Sequence, residues 1–302
     1  MQMLLSIQSI QYFRSSDRGF SIAELLVTSF LGLMVMSLAM SAAIANKTVL
    51  GKDKVRTQVA QNLRGALDII GMEARIGGEN LGSGFPAIEI TNGASSAPDT
   101  LFVRRNLLDE VLPLCVAITA GTNVTDIVFA NSPVVAGCVY SSHTHDYTAW
   151  QTYRTTHSNT VDAYIFDSVS KKGEFFKYNG ETNNGTQYSV TRVAGTWTNS
   201  YPAISSTIYI LEEWKFQVSS GILQLIQNRD NANANNVAFN ITDFQVQALM
   251  QDGTTKTAFA PTDAWISIKQ IQIDLSGAET FAQKLVTRTV TGKFFPRNVL
   301  SN

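Results

Sequence analysis

The chain is poor in charge and in cysteine, and it lacks the short motifs of the common enzyme classes. Charged residues make up 16% of its 302 residues and the formal net charge is −1, so no basic surface for nucleic acid is indicated. The sequence contains no G-x-S-x-G elbow, no H-E-x-x-H zinc motif, no Walker A loop and no dinucleotide fingerprint. We therefore predict a protein that is not an enzyme, needs no cofactor and does not bind nucleic acid directly.

What the sequence does have is a long hydrophobic run near its N-terminus. Residues 25–45 form an apolar, charge-free segment, the length needed to span a bilayer core of ~30 Å. A short basic leader precedes the segment, and one acid, Glu24, stands at its start. A charged side chain at the centre of a membrane helix costs on the order of 2.5–3.5 kcal/mol, so such an acid needs an interfacial position or a partner. The segment therefore predicts one membrane-spanning helix whose single acid lies at an interface or has a partner.

The residues around that acid form a specific pattern. Arg18 and Gly19 precede Phe20, and Glu24 lies five residues after Gly19. This arrangement resembles the N-terminal signal of type IV prepilins and of the pseudopilins of type II secretion. The resemblance implies that a prepilin peptidase cleaves behind Gly19 and removes residues 1–19 as a leader. It also implies that the new N-terminal residue, Phe20, is N-methylated.

We expect assembly to depend on Glu24. Cleavage would give Phe20 a free α-amine, and the carboxylate of one subunit could pair with the amine of a neighbour inside a helical bundle. Such pairing removes the desolvation cost of a solitary acid and makes the register between subunits selective. The alternative is that Glu24 is a tolerated residue whose carboxylate reaches the cytoplasmic interface.

Two other interpretations of the N-terminus remain open. The A-I-A sequence at residues 43–45 could be the cleavage site of a conventional secretory signal, although the apolar run exceeds the usual ~7–15 residues of such signals. The segment could also be an uncleaved anchor. The positive-inside rule does not favour a cytoplasmic N-terminus, because two arginines precede the segment whereas four basic residues lie within residues 47–56.

The helical pattern continues beyond the membrane segment. Apolar residues recur at three- and four-residue steps at Val55, Val59, Leu63, Leu67 and Ile70, with polar residues between them. This spacing predicts an amphipathic helix whose apolar stripe packs on a sheet. The glycine pair at residues 77–78 provides a stop. We therefore predict one long helix over residues 20–76, with residues 20–45 as the transmembrane and assembly segment.

From residue 79 onward the apolar residues alternate with a period of two, which predicts short strands. Strands are predicted at residues 100–104, 126–129, 163–166, 206–218, 222–226, 266–275 and 285–295. The strands at 206–218 and 222–226 are expected to form a hairpin across a Ser-Ser-Gly turn.

The two ends of this region sharpen the family resemblance. The helix closes on Arg75-Ile76-Gly77-Gly78, and the last strand closes on F-F-P-R-N at residues 294–298. Both features resemble the PilW-like minor pilins and the related J-type pseudopilins, in which the last strand ends on an Arg-Asn pair. The resemblance implies an α+β, pilin-like fold, in which the long N-terminal helix packs on an antiparallel β-sheet domain. Residues 77–302 would form that domain in the periplasm.

Cys115 and Cys138 lie in the part expected to be exported. An even cysteine count in an oxidising compartment suggests one disulfide between them. Two unrelated buried thiols are the alternative.

All three histidines fall in one window. His143, His145 and Asp146 could hold a transition metal if both imidazoles lay on one face of a strand, and His157 follows a little later. We favour a polar surface loop over a metal site, so no metal is predicted.

Two further clusters have both a functional and a structural interpretation. Tyr147, Trp150 and Tyr153 could form an exposed adhesive patch, but aromatic residues spaced by three more often lie on one side of a core. The oxygen-rich residues 228–233 would suit calcium, yet they lack the spacing of a known calcium loop. We predict a core position for the aromatic residues and a solvated turn for residues 228–233.

The resemblance implies a minor pilin that helps to initiate assembly of a type IV pilus and sits at or near its tip. Its partners would be other minor pilins, the major pilin, the prepilin peptidase and an inner-membrane assembly platform. The protein would first be a single-pass inner-membrane protein with a periplasmic C-terminal domain, and then part of the fimbrium at the cell surface. The alternatives are a minor pseudopilin of a type II secretion system and a membrane-tethered adhesin or carbohydrate-binding module.

Overall fold

The structure is a computed structural model that describes residue 19, residues 21–131 and residues 137–300. Leader residues 1–18 and the expected mature N-terminus, Phe20, lie outside the described residues. The described part contains two α-helices, α1 (Ile22–Ile76) and α2 (Thr144–Thr156). The long helix predicted over residues 20–76 is therefore observed, whereas α2 was not predicted.

Fifteen strands in the described residues form three sheets, in which neighbouring strands are antiparallel. In chain order they are β1 (Ile88–Thr91), β2 (Thr100–Asn106), β3 (Leu112–Pro113), β4 (Asp126–Ala130), β5 (Val161–Asp167), β6 (Lys172–Asn183), β7 (Tyr188–Arg192), β8 (Ser206–Tyr209), β9 (Leu211–Ser219), β10 (Ile222–Gln227), β11 (Asn235–Phe239), β12 (Ile241–Met250), β13 (Thr255–Lys256), β14 (Ile268–Phe281) and β15 (Lys284–Phe294). The sheets have the orders β1-β2-β9-β10-β11, β13-β12-β14-β15 and β3-β8-β5-β6-β7-β4. A long N-terminal helix followed by antiparallel sheets confirms the predicted α+β architecture.

The chain divides into two compact units, Met1–Asp53 and Lys54–Asn302. In the first unit the helix that begins at Ile22 exposes apolar side chains all round. Its most hydrophobic window has a mean hydropathy of 2.0 and none of that window is buried. By length and composition this helix can cross a membrane.

Within the second unit, the later part of α1 buries its apolar stripe against the four-stranded sheet. Val59, Leu63, Leu67 and Ile70 are all at least nine-tenths buried, as the helical spacing predicts. They share one core with the inward-facing isoleucines of β14, and fully burying such a side chain stabilises the fold by about 1.5–3 kcal/mol. The strand predicted over residues 266–275 is observed in part: β14 begins at Ile268, buried and partly exposed residues alternate from Ile271 to Leu275, and Trp265–Ser267 form a 3-10 turn.

The end of α1 is held by the last residues of the chain. Gly78 adopts a left-handed conformation (φ 83°), and a Cβ there would lie 2.3 Å from the Trp265 ring, so the predicted glycine stop has both a conformational and a steric cause. The Asn298 side-chain amide donates hydrogen bonds to the carbonyls of Ile76 and Gly77, at 3.0 Å and 3.2 Å. The asparagine of the terminal Arg-Asn pair is thus a C-terminal cap of the long helix.

The single strand predicted over residues 206–218 is wrong, because the chain changes sheets at Ile210. β8 belongs to the six-stranded sheet and β9 to the five-stranded sheet. Ile208 and Ile210 pack into one hydrophobic core, whereas Trp214 and Phe216 pack into the other. The alternation is interrupted at the change, because Ile208, Tyr209, Ile210 and Leu211 are all buried although consecutive side chains point to opposite faces of a strand.

The predicted hairpin is confirmed. β9 and β10 pair in continuous register from Ser219 with Ile222 to Trp214 with Gln227. Ser220 and Gly221 both have positive φ, at 51° and 76°, as a two-residue type I′ hairpin turn requires. The other predicted strands are observed as β2, β4, β5 and β15 with end shifts of a few residues.

Candidate functional site

The first turn of α1 is closed by two reciprocal hydrogen bonds. The Glu24 N–H donates to Ser21 Oγ at 3.2 Å, and the Ser21 N–H donates to Glu24 Oε2 at 3.3 Å. This is a capping box, in which each residue satisfies a main-chain donor that the helix leaves free. A carboxylate at this position also interacts favourably with the helix dipole. Glu24 therefore has a local role as a cap of its own helix.

The rest of the segment carries no unsatisfied hydroxyl group. Each serine and threonine hydroxyl within residues 22–50 donates to a main-chain carbonyl three or four residues earlier: Thr28, Ser29, Ser37, Ser41 and Thr48. In a lipid environment polar groups need such internal partners, because no water is available to them. Glu24 is the single charged residue within residues 22–46, and no described residue forms an ion pair with it.

Gly19 is exposed, and a Cβ placed on it would meet nothing within 4 Å. The described structure therefore gives no steric reason for glycine at this position. Phe20, the other residue of the predicted processing site, lies outside the described residues.

A second acid of α1 is buried inside the β-rich unit. Glu73 is 8% exposed, and its Oε2 atom has no hydrogen-bond partner among the described residues. Burial raises the pKa of Glu73 to about 6, against the opposing influence of Arg105 and with a further upward contribution from Glu212. At neutral pH the folded domain therefore holds a desolvated, ionised carboxylate.

We expect Glu73→Gln to stabilise the protein at pH 7.5 by up to about 2 kcal/mol, because the amide has no charge to desolvate. A carboxyl group whose pKa is higher in the folded state contributes most stability below its unfolded pKa of 4.5 and loses that contribution as the pH rises to about 6. The advantage of the variant should therefore vanish near pH 4. Urea unfolding of both proteins from pH 4 to pH 8 measures it, and a pH-independent difference would contradict the assignment.

A buried charge network links the first sheet. The Arg104 guanidinium on β2 contacts Glu213 on β9 at 2.6 Å and Glu89 on β1 at 2.9 Å, and it donates to the Pro86 carbonyl at 2.7 Å. Glu213 is fully buried and also pairs with Arg229 at 3.2 Å. Burial alone would raise the pKa of Glu213, but the two arginines overcome it and hold that pKa below its ordinary value. The network ties three segments of the domain together, and the sequence analysis did not predict it.

Cys115 and Cys138 form a disulfide with their Cα atoms 5.8 Å apart. Both residues are at least nine-tenths buried and pack with Val128 of β4. The bond joins the segment before β4 to the segment that leads into α2.

The polar loop expected around His143 is wrong, because that window is helical. A 3-10 turn over Tyr140–His143 leads directly into α2, and on a helix residues two apart do not share a face. His143 Nδ1 lies 2.7 Å from Asp146 Oδ2, while the nearest carboxylate to His145 is that of Glu110, at 3.4 Å. No set of three histidine, cysteine or acidic side chains suited to a metal occurs among the described residues.

The aromatic residues of the same region belong to a core. Trp150 is fully buried and donates its ring N–H to the Glu110 carbonyl at 2.9 Å. Tyr147 and Tyr153 are partly buried against the same hydrophobic cluster. The interpretation of these aromatic residues as core residues is confirmed.

Residues 228–233 form a closed turn. Asp230 accepts hydrogen bonds from the Ala232 N–H at 3.2 Å and from the Asn233 side chain at 2.8 Å. Its oxygens are thus used within the turn, as the prediction of a solvated turn requires.

Comparison with known proteins identifies a structural similarity but no matching sequence family. No protein-family model matches the sequence, and no curated protein matches it. Among solved structures, the chain is similar to the type IV-like pilin TTHA1219 from Thermus thermophilus, with 9% sequence identity and a TM-score of 0.36; the match covers 80% of this chain and 96% of that one.

Proposed function

We propose that this chain is a minor pilin, a non-enzymatic subunit that helps to initiate assembly of a type IV pilus and sits at or near its tip. The observation that carries the proposal is the combination of Gly19, Phe20 and Glu24 at the head of a charge-free apolar helix. A plain membrane anchor has no need of a glycine at residue 19, where the described structure leaves open space, or of an acid at the head of its span.

In this proposal a prepilin peptidase cleaves behind Gly19 and Phe20 gains the free, N-methylated amine. The Glu24 carboxylate then exchanges its capping bond within its own helix for the amine of a neighbouring subunit in the fibre. The capping bond contributes about 1 kcal/mol, whereas a close charge pair removed from water can contribute about 1.5–7 kcal/mol. The exchange is therefore favourable once two helices lie side by side in lipid.

The large domain favours a pilus tip over a secretion-system pseudopilin. Its surface loops are rich in serine, threonine and asparagine, as suits a subunit that ends a fibre and faces solvent. In this proposal the protein resides first in the inner membrane, with the β-rich unit in the periplasm, and there meets the assembly platform, the major pilin and other minor pilins.

The test separates charge pairing from helix capping at Glu24. Glu24→Gln keeps a side chain that can cap the Ser21 N–H but removes the charge, Glu24→Leu removes both, and Ser21→Ala weakens the cap while keeping the charge. We expect all three proteins to be cleaved, and we expect both Glu24 variants to enter the fibre at least about tenfold less than the parent. Ser21→Ala should enter normally. The measurement is the ratio of each variant in sheared fibres to that in membranes.

Gly19→Val is the matched processing control, since it should leave an uncleaved precursor whose intact mass includes residues 1–19. Parental incorporation of Glu24→Gln would remove the proposed assembly mechanism. A mature N-terminus at Asn46 instead of Phe20 would remove the pilin proposal as a whole.

A further inference from the structure

The three sheets have six edges, and five of them are short, irregular or covered. β3 and β13 have two residues each. β4 and β11 both contain a register shift against their neighbours, and β1 exchanges hydrogen bonds with Phe259 on its outer side. These are the usual devices by which sheet edges avoid pairing with other chains.

β15 is the exception. It pairs with β14 over eleven consecutive residue pairs, from Phe281 with Lys284 to Ile271 with Phe294, and no register shift interrupts them. No described residue forms a main-chain hydrogen bond with its outer side. Nothing in its length or regularity therefore prevents a further strand from adding to it.

The hydrogen bonds of the neighbouring strand β14 show which main-chain groups of β15 point outward. Ala278 of β14 donates its N–H to the Asn240 carbonyl, on the side away from β15. Main-chain groups alternate in direction along a strand, and in an antiparallel pair opposite residues share that alternation. The partner of Ala278, Thr287, therefore directs its N–H and carbonyl outward, and so do Thr289 and Thr291. All three threonines are exposed.

The charge on this edge has one sign. Lys284, Arg288 and Lys293 are exposed on β15, which contains no acid, and none of the three forms an ion pair with a described residue. The adjacent strand β14 carries two acids, Asp274 and Glu279, and Asp274 already accepts a hydrogen bond from Thr291. An added strand would thus meet three unpaired cations next to a row of free hydrogen-bonding groups.

We propose that β15 accepts an extended, acid-bearing strand of a neighbouring fibre subunit by β-augmentation. The added strand bonds to the outward groups of Thr287, Thr289 and Thr291. It places carboxylates beside Lys284 and Arg288 on one face of the sheet and beside Lys293 on the other. The partner is not a second copy of β15, because a second copy brings three further cations and no acid to this edge, and like charges close together destabilise a sheet. The identity of the partner as a fibre subunit rests on the proposed function.

The probe is an extended peptide of alternating threonine and glutamate, compared with the same peptide carrying lysine in place of glutamate. Its carboxylates share one face of the strand, so they can lie beside Lys284 and Arg288. Both peptides are added to the purified full-length chain in detergent. We expect the acidic peptide to bind at least about tenfold more tightly than the basic one. We also expect it to slow hydrogen exchange at the amides of Thr287, Thr289 and Thr291, which face solvent in the free protein.

Two variants test the mechanism. Thr289→Pro removes an outward N–H that β14 does not use. It should therefore abolish the protection that the acidic peptide gives to the amides of Thr287 and Thr291. The matched Thr289→Ala keeps that N–H and should keep the protection. The triple change Lys284→Glu, Arg288→Glu and Lys293→Glu should reverse the preference, so that the basic peptide binds. The triple variant keeps every main-chain donor and therefore remains informative if the proline variant fails to fold.

Absent amide protection, or an unchanged peptide preference in the triple variant, would overturn the proposal. Self-association of a triple glutamine variant without peptide protection would also overturn it and would show that the cations only keep copies apart. The two proposals fail separately. If the acidic peptide binds β15 but Glu24→Gln enters the fibre normally, the β15 proposal stands and the proposed assembly mechanism is wrong. If the peptide does not bind but Glu24→Gln fails to enter the fibre, only the β15 proposal is wrong.

Discussion

Replacing Arg104 with methionine should lower the free energy of unfolding by about 3–5 kcal/mol, because it leaves a buried carboxylate without its main partner. Glu213 is fully buried, and Arg229, 45% exposed, is the other cation that contacts it. The substitution also removes the bonds from Arg104 to Glu89 and to the Pro86 carbonyl. Urea unfolding of the full-length protein in detergent at pH 7 measures the loss.

The pH dependence identifies the cause. In the parent, the lowered pKa of Glu213 contributes stability that is present above the unfolded pKa and is lost as the pH falls. Without Arg104 burial dominates and raises that pKa, so the deficit of the variant should shrink in acid. The double change Arg104→Met and Glu213→Leu should recover part of the loss, because it removes the stranded charge. A single variant within about 1 kcal/mol of the parent would contradict a structural role for the network.

The second large effect is expected from Cys138→Ser, which should cost about 3 kcal/mol. The Cys115–Cys138 bond closes a loop with a sequence separation of 23, and cross-linking a loop of that length reduces the conformational entropy of the unfolded chain. The variant should unfold at a lower urea concentration and be degraded faster by proteases. Chemical denaturation under non-reducing conditions is the measurement.

A reductant provides the control for this effect. Dithiothreitol should lower the stability of the parent to that of Cys138→Ser and leave the variant unchanged. The double change Cys115→Ser and Cys138→Ser should match the single one. Free thiols on both cysteines in unreduced, denatured protein would show that the bond does not form.

The sequence predicted those elements whose signal is local and periodic. The stripe from Val55 to Ile70 gave the buried face of α1, and the alternating isoleucines gave β14. The capping box is equally readable from the sequence, because Ser21 and Glu24 have the S-x-x-E spacing of that motif. For α2 the useful signal was the three-residue spacing of Tyr147, Trp150 and Tyr153, which puts one side of a threonine-rich helix into a core.

The remaining features depend on contacts that no local pattern contains. Arg104 and Glu213 are 109 residues apart, and they meet because β2 and β9 pair in the register that sets Arg104 opposite Glu213. The change of sheet at Ile210 also depends on such contacts. The apolar run at residues 208–211 indicates burial on both sides of the chain, but it does not indicate that the two sides belong to different cores.

The cap that Asn298 places on α1 has a consequence for how the chain reaches its native state. Asn298 and Ile76 are 222 residues apart, and the strands that cover the apolar stripe of α1, β12 to β15, are synthesised long after the helix. During synthesis, Leu63, Leu67 and Ile70 therefore stay uncovered until these strands have emerged. Contacts over such separations also close slowly. Asn298→Ala should consequently act early in the life of the protein, as lost yield and proteolysis of nascent chains.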